Sequence, residues 1–332
     1  MIVPRFIRPG DTIGVTAPSY GLTDPADIRR LENAESKLGA MGYRVRETPD
    51  VRTADEDRRS APAEQRVEEL LSLISDPDVP YILSAAGGDY QIEMLQLMDW
   101  EVLERNQTWL QGYSDNTVLL FKATAEHDVA SIYASNFCDY GMEPWHRCVE
   151  DNLAFVEGRS MDQRSFSFHE SGFHDRSAGT EPVHDDEPVR WIHEGDVDMR
   201  GRLIGGCSEV LDWFLRSGSA DPSGFVDRYA RDGIIWYMET YESDDGRMER
   251  MLGDMAKAGW FEGCTGFVFG RPLFYEGKRR YNDVVTESLR EFGVPVVFDA
   301  DIGHKAPRMT VVNGLLADIS VRDGRAQLRY LV

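Results

Sequence analysis

Cysteine is scarce in this chain: four residues, Cys138, Cys148, Cys207 and Cys264, are spread through 332 with no Cys-x-x-Cys pair. Neither a disulfide framework nor a zinc cluster is expected from such spacing. No run of eighteen apolar residues occurs and Met1-Ile2-Val3-Pro4-Arg5 carries no secretory pattern, so no membrane span is expected and the cytoplasm is the expected location. Lysine is limited to Lys37, Lys122, Lys257, Lys278 and Lys305, and the balance of 58 acidic to 36 basic residues gives a net charge of -22. That charge argues against a nucleic-acid partner, whose phosphates need a basic surface. It leaves small nucleotides open as ligands, and it fits either a high-salt habitat or a biased genome. The glycine turn Ala85-Ala86-Gly87-Gly88-Asp89 lacks Gly-x-Gly-x-x-Gly spacing and a Gly-Lys-Ser/Thr ending, so no dinucleotide or phosphate loop is expected.

The chain does have length and apolar content: 42% hydrophobic residues over 332 can bury the cores of two domains. Strand-like runs at 12–16, 81–84 and 109–112 alternate with helical patterns at 25–41, 63–75, 91–104 and 118–127. A second set follows from residue 201, with helices at 206–215, 247–258 and 281–292, strands at 233–238, 266–269 and 294–298, and a closing pair of strands over 315–331. Alternation of this kind predicts an α/β protein of two lobes, an N-terminal one built on a parallel sheet and a C-terminal α/β one. The expected division is an N-terminal domain at 1–157, an interdomain excursion at 158–200 rich in Asp, Glu, Ser and His, and a C-terminal domain at 201–332.

One serine stands out. Trp109-Leu110-Gln111-Gly112 is a short apolar run that meets Tyr113-Ser114-Asp115-Asn116 and then a helical segment, the layout of a nucleophile elbow. The pattern is half met, with Asn116 where a second glycine would stand, and the same residues could simply cap a helix. A serine nucleophile needs a base and a carboxylate to orient it. Of seven histidines, His304 lies in a loop, Asp301-Ile302-Gly303-His304, at the C-terminal end of an apolar strand, where parallel sheets place chemistry. His169, His174, His184 and His193 fall in a polar stretch and read as solvated, while His127 and His146 fit surface or core. Glu239 closes the run Ile234-Ile235-Trp236-Tyr237-Met238. A carboxylate there must reach a cleft or find a donor, because burying it unpaired is costly; capping a helix or pairing with an arginine would also serve.

Ser114, Glu239 and His304, in that order and each at a strand end, resemble the LD-carboxypeptidase family of serine peptidases, which includes the microcin C self-immunity proteins. The resemblance runs through Pro9-Gly10-Asp11-Thr12-Ile13-Gly14, Ala85-Ala86-Gly87-Gly88-Asp89, Gly112-Tyr113-Ser114-Asp115 and Gly303-His304 with Pro307. It implies that Ser114 is the nucleophile, His304 the base and Glu239 its orienting partner, with the backbone amides of Gly88 and Asp115 as the oxyanion hole. It implies no metal and no cofactor, a homodimer, and one of two substrates. One is the amide of a microcin C-like aminoacyl-nucleotide or peptide, the other a muramoyl tetrapeptide cleaved at its L,D-bond in peptidoglycan recycling. A binding protein that kept the fold without turnover is the alternative of another class.

Two further residues bear on the substrate. Trp191, in the interdomain segment, is similar in placement to a tryptophan that stacks on the nucleobase in the microcin-immunity branch, though it could as well anchor its loop. Arg271, after the strand at 266–269, is the candidate for a terminal carboxylate, against the alternative of an ordinary ion pair. The chain departs from the family at Met309-Thr310-Val311-Val312-Asn313-Gly314, which lacks a proline, and at Cys207, which stands where many relatives have asparagine. Cys207 has no histidine near it in sequence and reads as a small buried thiol.

Overall fold

In the computed structural model, which describes residues 1–174 and 176–332, strands and helices alternate strictly through the first half of the chain. They run β1 (Thr12–Thr16), α1 (Pro25–Ala40), β2 (Arg44–Glu47), α2 (Ala63–Ile74), β3 (Tyr81–Ser84), α3 (Trp100–Asn106), β4 (Trp109–Gly112), α4 (Thr117–Ala125), β5 (Ser131–Tyr133) and α5 (Arg147–Val156), with short 3-10 turns between some of them. β1, β3 and β4 are buried along their whole length, as parallel strands covered on both faces must be. The strands pair in the order β2-β1-β3-β4-β5, all parallel. Local chemistry sets the ends: α1 opens with Asp24, whose carboxylate accepts the Ala26 N–H at 2.7 Å, then Pro25, and carries Asp27 in its first turn and Lys37 in its last, each suited to its end of the helix.

The segment expected as an excursion contributes β6 (Asp162–Arg164), β7 (Phe168–His169) and β8 (Glu187–Pro188). β9 (Val197–Cys207), α6 (Ser208–Ser217), α7 (Ser223–Tyr229), β10 (Ile234–Glu239), β11 (Glu242–Ser243), α8 (Asp245–Lys257), β12 (Cys264–Gly270), β13 (Phe274–Tyr275), α9 (Tyr281–Leu289), β14 (Val296–Ala300), β15 (Val311–Asn313), β16 (Leu316–Arg322) and β17 (Arg325–Tyr330) follow. The second sheet runs β14-β12-β10-β9-β16-β17-β6, parallel from β14 to β9 and antiparallel beyond. β9 shows the change of environment within one strand. Its first residues alternate buried and exposed against antiparallel β16, and its last five are buried throughout beside β10, the two signatures of half-covered and fully covered sheet.

Two features differ from the sequence reading. The helix expected over 91–104 is broken into a turn, Gln91–Met94, and α3, because buried Gln91 bonds Asn116 Oδ1 at 2.8 Å and the Leu119 N–H at 3.0 Å and is held against the start of α4. The chain also returns to the first sheet late: β15 pairs antiparallel with β5. Asn313 at its end bonds the hydroxyl of Ser131 at 3.3 Å, the Gly205 N–H at 3.1 Å and the Tyr237 hydroxyl at 2.9 Å, stitching the two sheets together. Among the described residues no helix is long and apolar enough to cross a membrane.

Candidate active site

β4 delivers the serine. Past Gly112 the backbone stays extended at Tyr113 and turns left-handed at Ser114, with φ of 66°, a conformation that costs a non-glycine residue about 1–3 kcal/mol and persists only where neighbours hold it. They do. The Ser114 N–H donates to the Tyr133 hydroxyl at 3.0 Å, and Asn116 Nδ2 donates to the carbonyls of Tyr113 at 2.9 Å and Ala86 at 3.1 Å. A Cβ on Gly112 would sit 2.6 Å from the Asn116 side chain. Asn116, where a second glycine was looked for, is therefore the side chain that pins the turn and requires the first one. Among the described residues the Ser114 hydroxyl is engaged with His304 Nε2 and with no backbone N–H of the helix that follows.

Glu239 ends β10, fully buried at 0% exposure. Its Oε2 lies 2.9 Å from His304 Nδ1, and its Oε1 accepts the Tyr133 hydroxyl at 2.6 Å. Burial opposes ionisation, but the His304 charge, the hydrogen bonds from His304 and Tyr133, and the more distant Arg308 hold the carboxyl below its ordinary range. An ionised carboxylate only accepts, so Nδ1 carries a proton whether or not the ring is charged, and in the neutral ring Nε2 is left to accept from Ser114 Oγ, 3.0 Å away. Gly303, at φ of 96°, makes the approach possible, since a Cβ there would meet Glu239 Oε2 at 2.5 Å. The imidazole is gripped by Tyr113 at 5.3 Å and Tyr241 at 4.8 Å between ring centres. Tyr133, which touches both the serine turn and the carboxylate, escaped the sequence reading: a tyrosine in a three-residue strand carries no local signal.

The Gly87-Gly88 turn lies against the serine, with a Cβ on Gly87 falling 3.2 Å from Ser114 Cβ and one on Gly88, at φ of 149°, falling 2.3 Å from Ser19 Oγ. Asp115 locks this turn to the elbow through its carboxylate, which accepts from Ser19 Oγ at 2.5 Å and the Gln91 N–H at 2.9 Å. A cavity of about 260 Å³ opens beside these residues, lined by Gly87, Tyr113, His304, Arg308, Glu170 and Phe173 among others. Phe173 in its wall is 60% exposed and packs against Phe274, 46% exposed, with ring centres 5.9 Å apart and 6.2 Å and 5.4 Å from Tyr241.

Trp191 and Arg271, expected at the substrate, are not among the residues lining this cavity. Trp191 is 2% exposed and packs with Leu203, Tyr237, Val268 and Ile302, while its Nε1 donates to Asp301 Oδ2 at 3.1 Å. Arg271, 4% exposed, donates to Asp301 Oδ1 at 2.8 Å and the Asp299 carbonyl at 2.7 Å. Both serve Asp301, a buried carboxylate at the root of the His304 loop that also accepts the Phe166 N–H at 3.0 Å. His169 is likewise buried, against the expectation of a solvated ring, and its Nδ1 lies 2.8 Å from the Glu170 carbonyl. Cys207 donates its thiol to Glu209 Oε2 at 2.9 Å, and burial and Glu209 push that thiol well up, as suits an inert side chain.

Known proteins resemble this chain over most of its length. The LD-carboxypeptidase N-terminal domain matches residues 13–134 and its C-terminal domain residues 200–319. A carboxypeptidase-family protein of Treponema pallidum is 33% identical over 326 residues, covering 95% of this chain and 91% of that one. Among solved structures, the microcin C7 self-immunity protein in complex with aspartyl sulfamoyl adenosine superposes with a TM-score of 0.82 at 20% identity, over 100% of this chain and 99% of that one. The muramoyltetrapeptide carboxypeptidase of Oxalobacter formigenes gives 0.73 at 21%, over 96% and 98%; at such identities the likeness is one of fold. The chain belongs to the LD-carboxypeptidase family of serine peptidases.

Proposed function

We propose that Ser114, His304 and Glu239 hydrolyse the amide that joins an aminoacyl group to a nucleotide-like leaving group, as in a processed microcin. Ser114 Oγ gives its proton to His304 Nε2 and bonds to the carbonyl carbon, while the N–H groups of Gly88 and Asp115 receive the negative oxygen. Collapse breaks the C–N bond, the departing nitrogen takes the proton from His304, and water then repeats the sequence to free the acid and restore the serine. Glu239 keeps the imidazole in the required tautomer, and Tyr133 holds Glu239 and the Ser114 N–H at once. The observation that carries the reading is the chain of contacts from Ser114 to His304 to Glu239, at 3.0 Å and 2.9 Å, beside a cavity.

The choice of substrate rests on the exposed ring of Phe173 in the wall of that cavity and on Phe274 packed against it. The ring surface of Phe173 and Phe274 is exposed where a base could stack, a role that passes from Trp191 to Phe173, and aromatic stacking is worth about 1–3 kcal/mol per base. The related microcin C7 self-immunity protein holds aspartyl sulfamoyl adenosine. The same reading makes the protein a cytoplasmic homodimer, which sedimentation tests. Incubation with aspartyl sulfamoyl adenosine and, separately, with a muramoyl tetrapeptide, followed by mass spectrometry, tests the substrate: release of aspartate is expected. Cleavage of the tetrapeptide alone would replace the reading with the cell-wall one, and binding without cleavage of either would make the chain a silent binding protein.

A further inference from the structure

The cavity beside Ser114 is walled by six charged side chains besides His174 and His304, and five of them already have partners in the chain. Arg308 donates to Asp139 Oδ2 at 2.8 Å and the Gly303 carbonyl at 3.0 Å. Arg176 pairs with Glu170 and donates to the Pro182 carbonyl at 2.8 Å. Arg30 gives Nη1 to the carbonyls of Gly179 at 3.1 Å and Glu181 at 3.0 Å. Asp139 and Glu170 are thereby accounted for as well.

The sixth is Asp27, in the first turn of α1. Among the described residues its carboxylate accepts no hydrogen bond and joins no ion pair, although it is half-buried. Burial and the like charge of Asp24 push its carboxyl up, and Arg58 and Arg30, acting at longer range, offset this only in part. A carboxylate in that position is compensated only in part, by the start of α1 and by Arg58 and Arg30 at longer range, and a cationic ligand group would remove the remaining cost. Its placement also suits a ligand: Asp27 and Arg176 line both the catalytic cavity and a second, more open one of about 510 Å³ over the start of α1. In that second cavity Arg29 is occupied too, donating to the carbonyls of Ala178 at 3.0 Å and Ser177 at 2.6 Å. Asp27 therefore sits at the junction of two cavities whose guanidinium groups all have partners.

We infer that Asp27 is a specificity residue that binds an ammonium group on the acyl part of the substrate, so that the enzyme takes aminoacyl compounds with a free amine. This rests on the hydrolytic reading of Ser114 given above. An N-blocked acyl group would leave the carboxylate unpaired, and a ligand with a second carboxylate there would be repelled. Hydrogen bonds to a charged partner are commonly worth 10- to 100-fold or somewhat more in affinity.

The test compares aspartyl sulfamoyl adenosine with its N-acetyl derivative as substrates of the wild type, Asp27→Asn and Asp27→Glu. The wild type is expected to prefer the free amine by ~10–100-fold in kcat/KM. Asp27→Asn should collapse that preference to below about threefold through KM, with kcat of the free-amine substrate nearly kept, and Asp27→Glu should restore part of it. Equal turnover of the two substrates by the wild type, or an unchanged preference in Asp27→Asn, overturns the subsite and leaves the proposed function standing. A wild type that cleaves neither overturns the proposed substrate and the subsite with it.

Discussion

On one side of the loop that carries His304, Trp191 and Arg271 are buried and both donate to Asp301; on the other, Phe173, Tyr241 and Phe274 pack together yet leave ring surface in water, and Asp27 has no partner among the described residues. The two groups have similar chemistry, aromatic rings beside charge, but opposite states of satisfaction. The inner group holds the loop in place, so its rings and charges are largely used by the fold, although Arg271 Nε is buried without a partner among the described residues. The outer group is incomplete until something binds. Residue type therefore says less about a substrate site than whether the polar and aromatic surface already has a partner.

Removing the carboxylate of the inner group should have the largest effect. Asp301→Ala strips partners from Arg271, Trp191 and the Phe166 N–H together, and breaking a buried pair costs about 3–5 kcal/mol, to be read from denaturant unfolding. Trp191→Phe, which loses the hydrogen bond to Asp301 and part of a buried ring, should cost about 1–3 kcal/mol and leave the KM for a nucleotide substrate unchanged. Phe173→Ala should do the reverse: no loss of stability, and a KM for aspartyl sulfamoyl adenosine raised roughly five- to a hundredfold. If Trp191→Phe moves KM and Phe173→Ala does not, the contrast between the two groups is wrong.

The smallest effect concerns pH. Because the folded Glu239 carboxyl is held below its ordinary value of 4.5, its contribution to stability is present above pH 4.5 and disappears as pH falls below that toward its folded value. Unfolding free energy followed by denaturant titration from pH 6 to pH 3 should fall less steeply in Glu239→Gln than in the wild type. Equal slopes would mean that the carboxylate gains nothing from His304 and Tyr133.

Much of the centre was legible because its residues sit where strand ends must put them. Gly112 and Ser114 close an apolar run, Glu239 closes another, and Gly303-His304 follows a third, so order along the chain and the alternation of strands and helices were enough to nominate them. Partners across the fold were not legible. Nothing near Trp191 or Arg271 in sequence announces Asp301, 110 and 30 residues away, and a buried carboxylate with two donors looks, from the donors' side, like two free functional groups. Tyr133 was missed for the same reason, since its value comes from β5 lying beside the end of β10. Phe173 and Asp27 were hidden differently: exposure and the lack of a partner are properties of the folded surface alone.

The account depends most on Ser114 being activated by His304, and covalent labelling reads that directly. The full-length protein treated with a serine-directed fluorophosphonate, then weighed intact and mapped by peptide mass spectrometry, should gain a single adduct on Ser114. The rate of labelling should fall at least about a hundredfold in His304→Ala, because the two groups act as one unit. An adduct on another residue, or labelling of Ser114 at an undiminished rate in His304→Ala, would contradict it.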